Sequence, residues 1–190
     1  MNMSYNKLFR HCFFGTAFFL SFMANVSGQT VINRSASITI PSLALVDIEP
    51  NSNTINLSYS NPSEAGSPMD VSGAVDNTKW LNYSSSNAIS VTRAITVQIS
   101  SGTIGSGLNL NLVASAYSGS GNGVSFATSA GSKVLSGTPQ IILTGLSSCF
   151  TGNGSGNGHL LTFSLTVSNY GNIKFANSSA LVITYTMVDL

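Results

Sequence analysis

The sequence predicts an all-β domain, an antiparallel Greek-key (Ig-like) β-sandwich preceded by a signal peptide. Three observations predict it. Apolar and polar residues alternate with period two over several runs, clusters of Gly, Asn and Ser separate those runs, and no window carries helical periodicity with caps. Alternation of this kind marks a strand with one buried face, and short strands spaced by such turns mark a sandwich or barrel.

The chain opens on an export signal. Lys7 and Arg10 precede an apolar run from Cys12 to Ala24 dominated by Phe13, Phe14, Phe18, Phe19, Leu20, Phe22 and Met23. The run is shorter than the roughly 20 apolar residues that cross a bilayer core. A positive start, a short apolar stretch and the small residues Val26-Ser27-Gly28 describe a cleaved secretory signal. Residues 1–28 are therefore expected to leave, and residues 29–190 to form a single β-sandwich domain beginning at Gln29. Cys12 lies at the front of the apolar run rather than after it, which argues against a lipoprotein. Beyond Gln29 the apolar stretches are short and broken by Ser, Thr, Asn and Gly, so no transmembrane helix is expected in the mature chain. The expected location is the periplasm, the cell surface or the extracellular space.

The strand runs follow in order. Ile38 and Ile40 alternate with Ser37 and Thr39, and Ile55, Leu57 and Tyr59 with Asn56 and Ser58. Ile89, Val91, Ile95, Val97 and Ile99 share one parity that Arg93 interrupts, which predicts an edge, a bend or a bulge there. Leu108, Leu110 and Leu112 alternate with Asn109 and Asn111. Leu161, Phe163, Leu165 and Val167 alternate with Ser and Thr, as do Leu181, Ile183, Tyr185 and Met187 with Val182, Thr184, Thr186 and Val188. Turn clusters at 61–68, 101–107, 118–123 and 151–158 supply the Gly and Asn that take positive φ at low steric cost.

Composition removes several function classes. Charged residues make up 7% of the chain, against roughly 25% in typical soluble domains. Plentiful Val, Ile, Leu and Phe exclude disorder. After residue 28, Arg34, Lys79, Arg93, Lys133 and Lys174 face Asp47, Glu49, Glu64, Asp70, Asp76 and Asp189, so no basic patch exists to neutralise phosphates. Nucleic acid is excluded as a partner. Cys149 is left as a lone cysteine, expected to be buried beside Leu146 and Phe150.

Each candidate for chemistry has a plainer account. Cys149 and His159 flank the glycine-rich stretch 151–158, and a hairpin there would bring them near each other as the start of a thiolate site. No motif surrounds Cys149 and no third, orienting residue is identifiable, so the expectation is that both simply flank a mobile turn. The stretch lacks the Gly-Lys-Ser/Thr ending of a phosphate loop and the Asp residues of calcium-binding glycine-rich repeats. Asp47 and Glu49 share a strand parity, while Asp70 and Asp76 lie in turn-rich sequence, and none forms a carboxylate pair or metal set with a histidine. Trp80 and Tyr83 are the candidate ligand-stacking residues, because exposed aromatic rings stack on sugars; the alternative is a core anchor. No catalytic residue, cofactor or metal is assigned, and the chain is not expected to be an enzyme.

Leu160-Leu161-Thr162-Phe163-Ser164-Leu165, Tyr170 and Leu181-Val182-Ile183-Thr184-Tyr185-Thr186 resemble the final strands of spore-coat-U-like and archaic chaperone–usher pilin domains. The resemblance covers about the last 30 residues, and the paired cysteines common in pilin domains are missing. Trp80 followed by alternating strands is also similar to exported Bacteroidota-type surface proteins of unassigned role. The pilin resemblance implies an incomplete sandwich that accepts a strand from a neighbouring subunit, with Thr30 to Ile40 as donor. The functional expectation is an exported, non-enzymatic surface or fimbria-like structural or adhesive subunit, associating with itself or with other surface proteins. The alternative is a carbohydrate- or cell-surface-binding module that takes a glycan.

Overall fold

A computed structural model of the protein describes residues 34–52, 54–174 and 180–190. The expected signal peptide, residues 1–28, and the Thr30 to Asn33 part of the expected donor segment lie outside the described residues. The chain divides into two units, Met1–Thr39 and Ile40–Leu190. In the first, residues 34–39 carry no regular secondary structure. The second holds every strand described.

Those strands are β1 (Leu43–Glu49), β2 (Val75–Ser86), β3 (Arg93–Ser101), β4 (Leu108–Ala114), β5 (Asn122–Gly123), β6 (Thr128–Ser129), β7 (Lys133–Val134), β8 (Gln140–Leu146), β9 (Cys149–Phe150), β10 (His159–Val167) and β11 (Val182–Asp189). One sheet runs β5-β9-β2-β10-β4-β7 with β1 on the other edge of β2, and the second runs β11-β3-β8-β6. All pairings are antiparallel. The architecture is the antiparallel β-sandwich that the alternation predicts. β1 and β2 pair within one sheet, successive long strands from β2 onward cross between the sheets, and β10 returns to lie between β2 and β4.

The core forms where the alternating apolar faces meet. Leu81, Ile95, Leu112, Ile142, Leu143, Leu146, Leu161 and Phe163 are fully buried. Each such side chain contributes roughly 1.5–3 kcal/mol by leaving water. β4 and β10 obey the pleat closely: Leu110 and Leu112 point inward from one, Leu161 and Phe163 from the other.

Other expectations need correction. Ile38 and Ile40 belong to no strand, and Ile40 is 79% exposed. The 55–59 run packs Ile55 and Leu57 against the core without joining a ladder. Ile89 lies outside β3 and is 98% exposed, because the strand begins only at Arg93. Asp76, expected in turn-rich sequence, is inside β2, the longest strand.

Where the ladder slips, the side-chain pattern slips with it. The β3–β8 register shifts between Arg93 and Ile95 and again between Ile95 and Thr96, which turns both Ile142 and Leu143 inward. Gly145, at φ +77°, sits in the first shift, where a glycine takes the left-handed conformation of a bulge. The irregularity expected at Arg93 is therefore present.

Candidate functional site

Two places in the sandwich carry arrangements beyond ordinary core packing: a polar cluster buried on β2, and the open edge at β11.

The cluster is built on Tyr83. β2 turns its ring inward, so the residue is only 3% exposed. Tyr83 is consequently not a ligand-stacking residue, because its ring is already covered by the protein. Its hydroxyl accepts from the Ala127 amide at 2.9 Å and meets Nε2 of His159 at 3.1 Å. Nδ1 of His159 lies 2.8 Å from the Ser115 carbonyl. A carbonyl only accepts, so Nδ1 carries the proton and the neutral ring takes the Tyr83 hydroxyl proton at Nε2. The two rings stack with centroids 5.7 Å apart, and Tyr117 meets His159 edge-on at 6.1 Å. Tyr117 in turn stacks on Phe126 at 3.7 Å.

Burial decides the protonation states. It pushes the His159 imidazole below its usual range, against the raising effect of the Ser115 carbonyl. It pushes the Tyr83 phenol well above its usual value. The Cys149 thiol is also pushed up by burial, with an opposing contribution from the Ser147 backbone. Cys149 is buried, as expected, and its Sγ contacts the Ser147 carbonyl at 3.4 Å. His159 spends both ring nitrogens on Tyr83 and Ser115, so it does not activate the thiol.

His159 does not simply flank a mobile turn either. The 151–158 stretch is tied down along its length: Asn82 Oδ1 accepts from Gly154 N–H at 2.8 Å, and Asn157 Oδ1 accepts from Ser120 N–H at 3.0 Å. Thr151 Oγ1 accepts from the Tyr83 amide at 3.0 Å. Replacing Tyr83 with Phe would keep the ring and strip the hydroxyl from two buried partners. The expected cost is about 2 kcal/mol, read as a lower denaturant midpoint at unchanged slope.

The other candidates are dispersed. Trp80 is half-buried on the face of the sheet opposite the core, with Glu49 and Leu160 as its cross-strand neighbours. Asp47 and Glu49 share a face of β1, as their parity implies. Asp76 lies beside a cavity of about 420 Å³ lined by Ser52, Thr54, Asn56 and Thr78. Its oxygens accept from Thr78 and Asn56. Burial raises the Asp76 carboxyl, but those hydrogen bonds and the Lys79 charge outweigh it and leave it below the usual range. Among the described residues no three His, Cys, Asp or Glu side chains gather as a metal site. No helix among them is long and apolar enough to cross a membrane.

The open edge is made by the C-terminal strand. β11 pairs with β3 along its whole length and, among the described residues, has no sheet neighbour on its other side. Its inward side chains Ile183, Tyr185 and Met187 are only partly buried. The same holds for Val46 and Ile48 on β1, which edges the opposite sheet and lies near β11. Sequence reasoning found the alternation of β11 but not its edge position, which depends on pairing with a strand far away in the chain. No family model, curated protein or solved structure matches the chain.

Proposed function

We propose that this chain is an exported, non-enzymatic structural subunit of a cell surface or fimbria-like assembly, built by adding a strand to the free edge of β11. The observation that carries the reading is that edge: an eight-residue strand with, among the described residues, one sheet neighbour and half-buried apolar side chains beneath it. An exposed strand edge is a template for another chain, and its main-chain groups supply affinity without charge. The donor is the N-terminal segment of a neighbouring copy, where Ile38 and Ile40 are 86% and 79% exposed at alternate positions.

Chain direction excludes an antiparallel partner from the same molecule. Arg93 hydrogen-bonds Ser42 and Leu43 at the end of β11 that holds Asp189. An antiparallel partner from the same chain would need Ile40 beside Val182, about 23 Å away at ~3.3 Å per residue. Two intervening residues do not span that distance. A second copy meets no such restriction.

Light scattering on the protein beginning at Gln29 and on a version beginning at Ser42 tests the reading. Concentration-dependent polymers are expected only for the longer chain; monomers for both would sink it.

A second reading, glycan binding, rests on the half-buried Trp80 on the outer sheet face. Trp80 is the one tryptophan, so its fluorescence reports directly. A glycan-dependent shift, with ready iodide quenching beforehand, would favour this module reading; no shift across a glycan panel would remove it.

A further inference from the structure

We propose that the Tyr83–His159 pair is an acid-released latch that holds the 115–127 segment against the strand of Cys149. The pair ties that segment to the large sheet, and its hydrogen bonds form one directed chain. The Ala127 amide donates to the Tyr83 hydroxyl, the hydroxyl donates to His159 Nε2, and Nδ1–H donates to the Ser115 carbonyl. Both ends of the chain, Ser115 and Ala127, belong to the segment; both middle members belong to core strands of the large sheet.

The segment is also the sheet neighbour of the thiol's strand, with Asn122 and Gly123 paired to Phe150 and Cys149. A Cβ placed on Gly123 would fall 2.1 Å from Cys149 Cβ, and one on Gly121 would fall 2.0 Å from the Phe150 carbonyl. Glycine at both positions lets the segment's backbone lie directly on β9. Cys149 is left 5% exposed.

Protonation breaks the chain. A charged imidazole donates from both nitrogens. Nε2–H then faces the Tyr83 oxygen, which already accepts from Ala127, and the tyrosine hydrogen is left without its acceptor. The groups facing His159 are Tyr83 on β2 and Tyr117 within the segment, with Cys149 on β9 beside Tyr83. None of them is an anion at neutral pH, so the buried cation has no partner. Burial alone already lowers the imidazole's proton affinity below the ordinary 6.5. Stability is therefore whole above that value and is lost as the pH falls toward the folded-state value. The segment yields first, because β2 and β10 are held by a central ladder while the segment has only the two-residue β5.

The test is the rate at which 4,4′-dithiodipyridine, a disulfide that reacts with thiols in acid, modifies Cys149 in the full chain. Rates are taken from about pH 7.5 to about pH 4.5, each divided by that of a free cysteine derivative at the same pH. Peptide mapping assigns the label to Cys149, and circular dichroism follows the sheet. The expected result is a rise of roughly tenfold or more in relative rate below about pH 6, with the sheet intact. His159→Gln should abolish the pH dependence. Tyr83→Phe, which keeps the ring, should raise the rate at neutral pH. Protection that stays flat to the lowest pH, release that persists unchanged in His159→Gln, or loss of the whole sheet at the same pH would each overturn the proposal.

Discussion

Replacing Arg93 with alanine is expected to destabilise the sandwich by about 2–3 kcal/mol, read as a fall in denaturant midpoint at constant slope. Arg93 is 6% exposed and stands at the bulge where β3 begins. Its Nε donates to Asp189 Oδ1 at 2.6 Å, Nη2 to Ser42 Oγ at 2.9 Å, and Nη1 to Ser85 Oγ at 3.0 Å and to the Leu43 and Ser86 carbonyls. One guanidinium thus joins the start of β1, the end of β2 and the end of β11 across the two sheets. Truncation leaves the buried Ser85 hydroxyl without its donor, at about 1–3 kcal/mol, and loses the partly buried bonds to Ser42, Leu43 and Ser86 besides. Lysine is expected to rescue poorly, since a point charge cannot serve a planar fork of partners. Asp189→Asn should cost less than about 1 kcal/mol, because that side chain is 67% exposed and its charge is screened. If Asp189→Asn proved as damaging as Arg93→Ala, the ion pair and not the hydrogen-bond hub would be the main contribution.

Gly158→Ala is expected to cost about 3 kcal/mol or to unseat the 151–158 loop. Gly158 has φ +85°, and a Cβ there would lie 2.1 Å from the Leu81 carbonyl oxygen. Its backbone is also locked to Ser118 by reciprocal hydrogen bonds of 2.7 and 2.9 Å. The left-handed backbone alone costs an alanine about 1–2 kcal/mol, and the clash with fixed backbone adds the rest. Gly154, at φ +87° with nothing within 4 Å of its Cβ position, is the matched control and should lose only about 1 kcal/mol on the same change. Equal effects at the two sites would mean that the loop does not pack on β2 as described.

The long regular strands were legible because their residues obey the pleat. β4, β10 and β11 read directly from Leu108–Leu112, Leu161–Val167 and Ile183–Met187. β2 was hidden by its chemistry. Asp76, Asn77, Lys79 and Asn82 are weak strand formers, and a register shift against β10 breaks their alternation. Three of them, Asp76, Lys79 and Asn82, are buried only because distant groups complete their hydrogen bonds: Asn56, Pro50 and Gly154. β8 was hidden by the slippage that turns Ile142 and Leu143 inward together. The short strands β5, β6, β7 and β9 are too brief to show any period.

The sequence by itself determined the fold class, the low charge and the irregularity at Arg93, since these depend on residue type and on neighbours along one strand. It pointed to burial for Cys149 as well, because a lone small thiol beside apolar residues gains by leaving water. Only the tertiary structure decided that Tyr83 is enclosed, that His159 serves a tyrosine instead of the nearby cysteine, that the glycine-rich loop is pinned, and that β11 ends its sheet. Each of these depends on partners more than thirty residues away, such as Tyr83 with Ala127 and His159 or His159 with Ser115. Local periodicity reports which face of a strand is apolar, but not which strand lies beside it or what meets that face across the core.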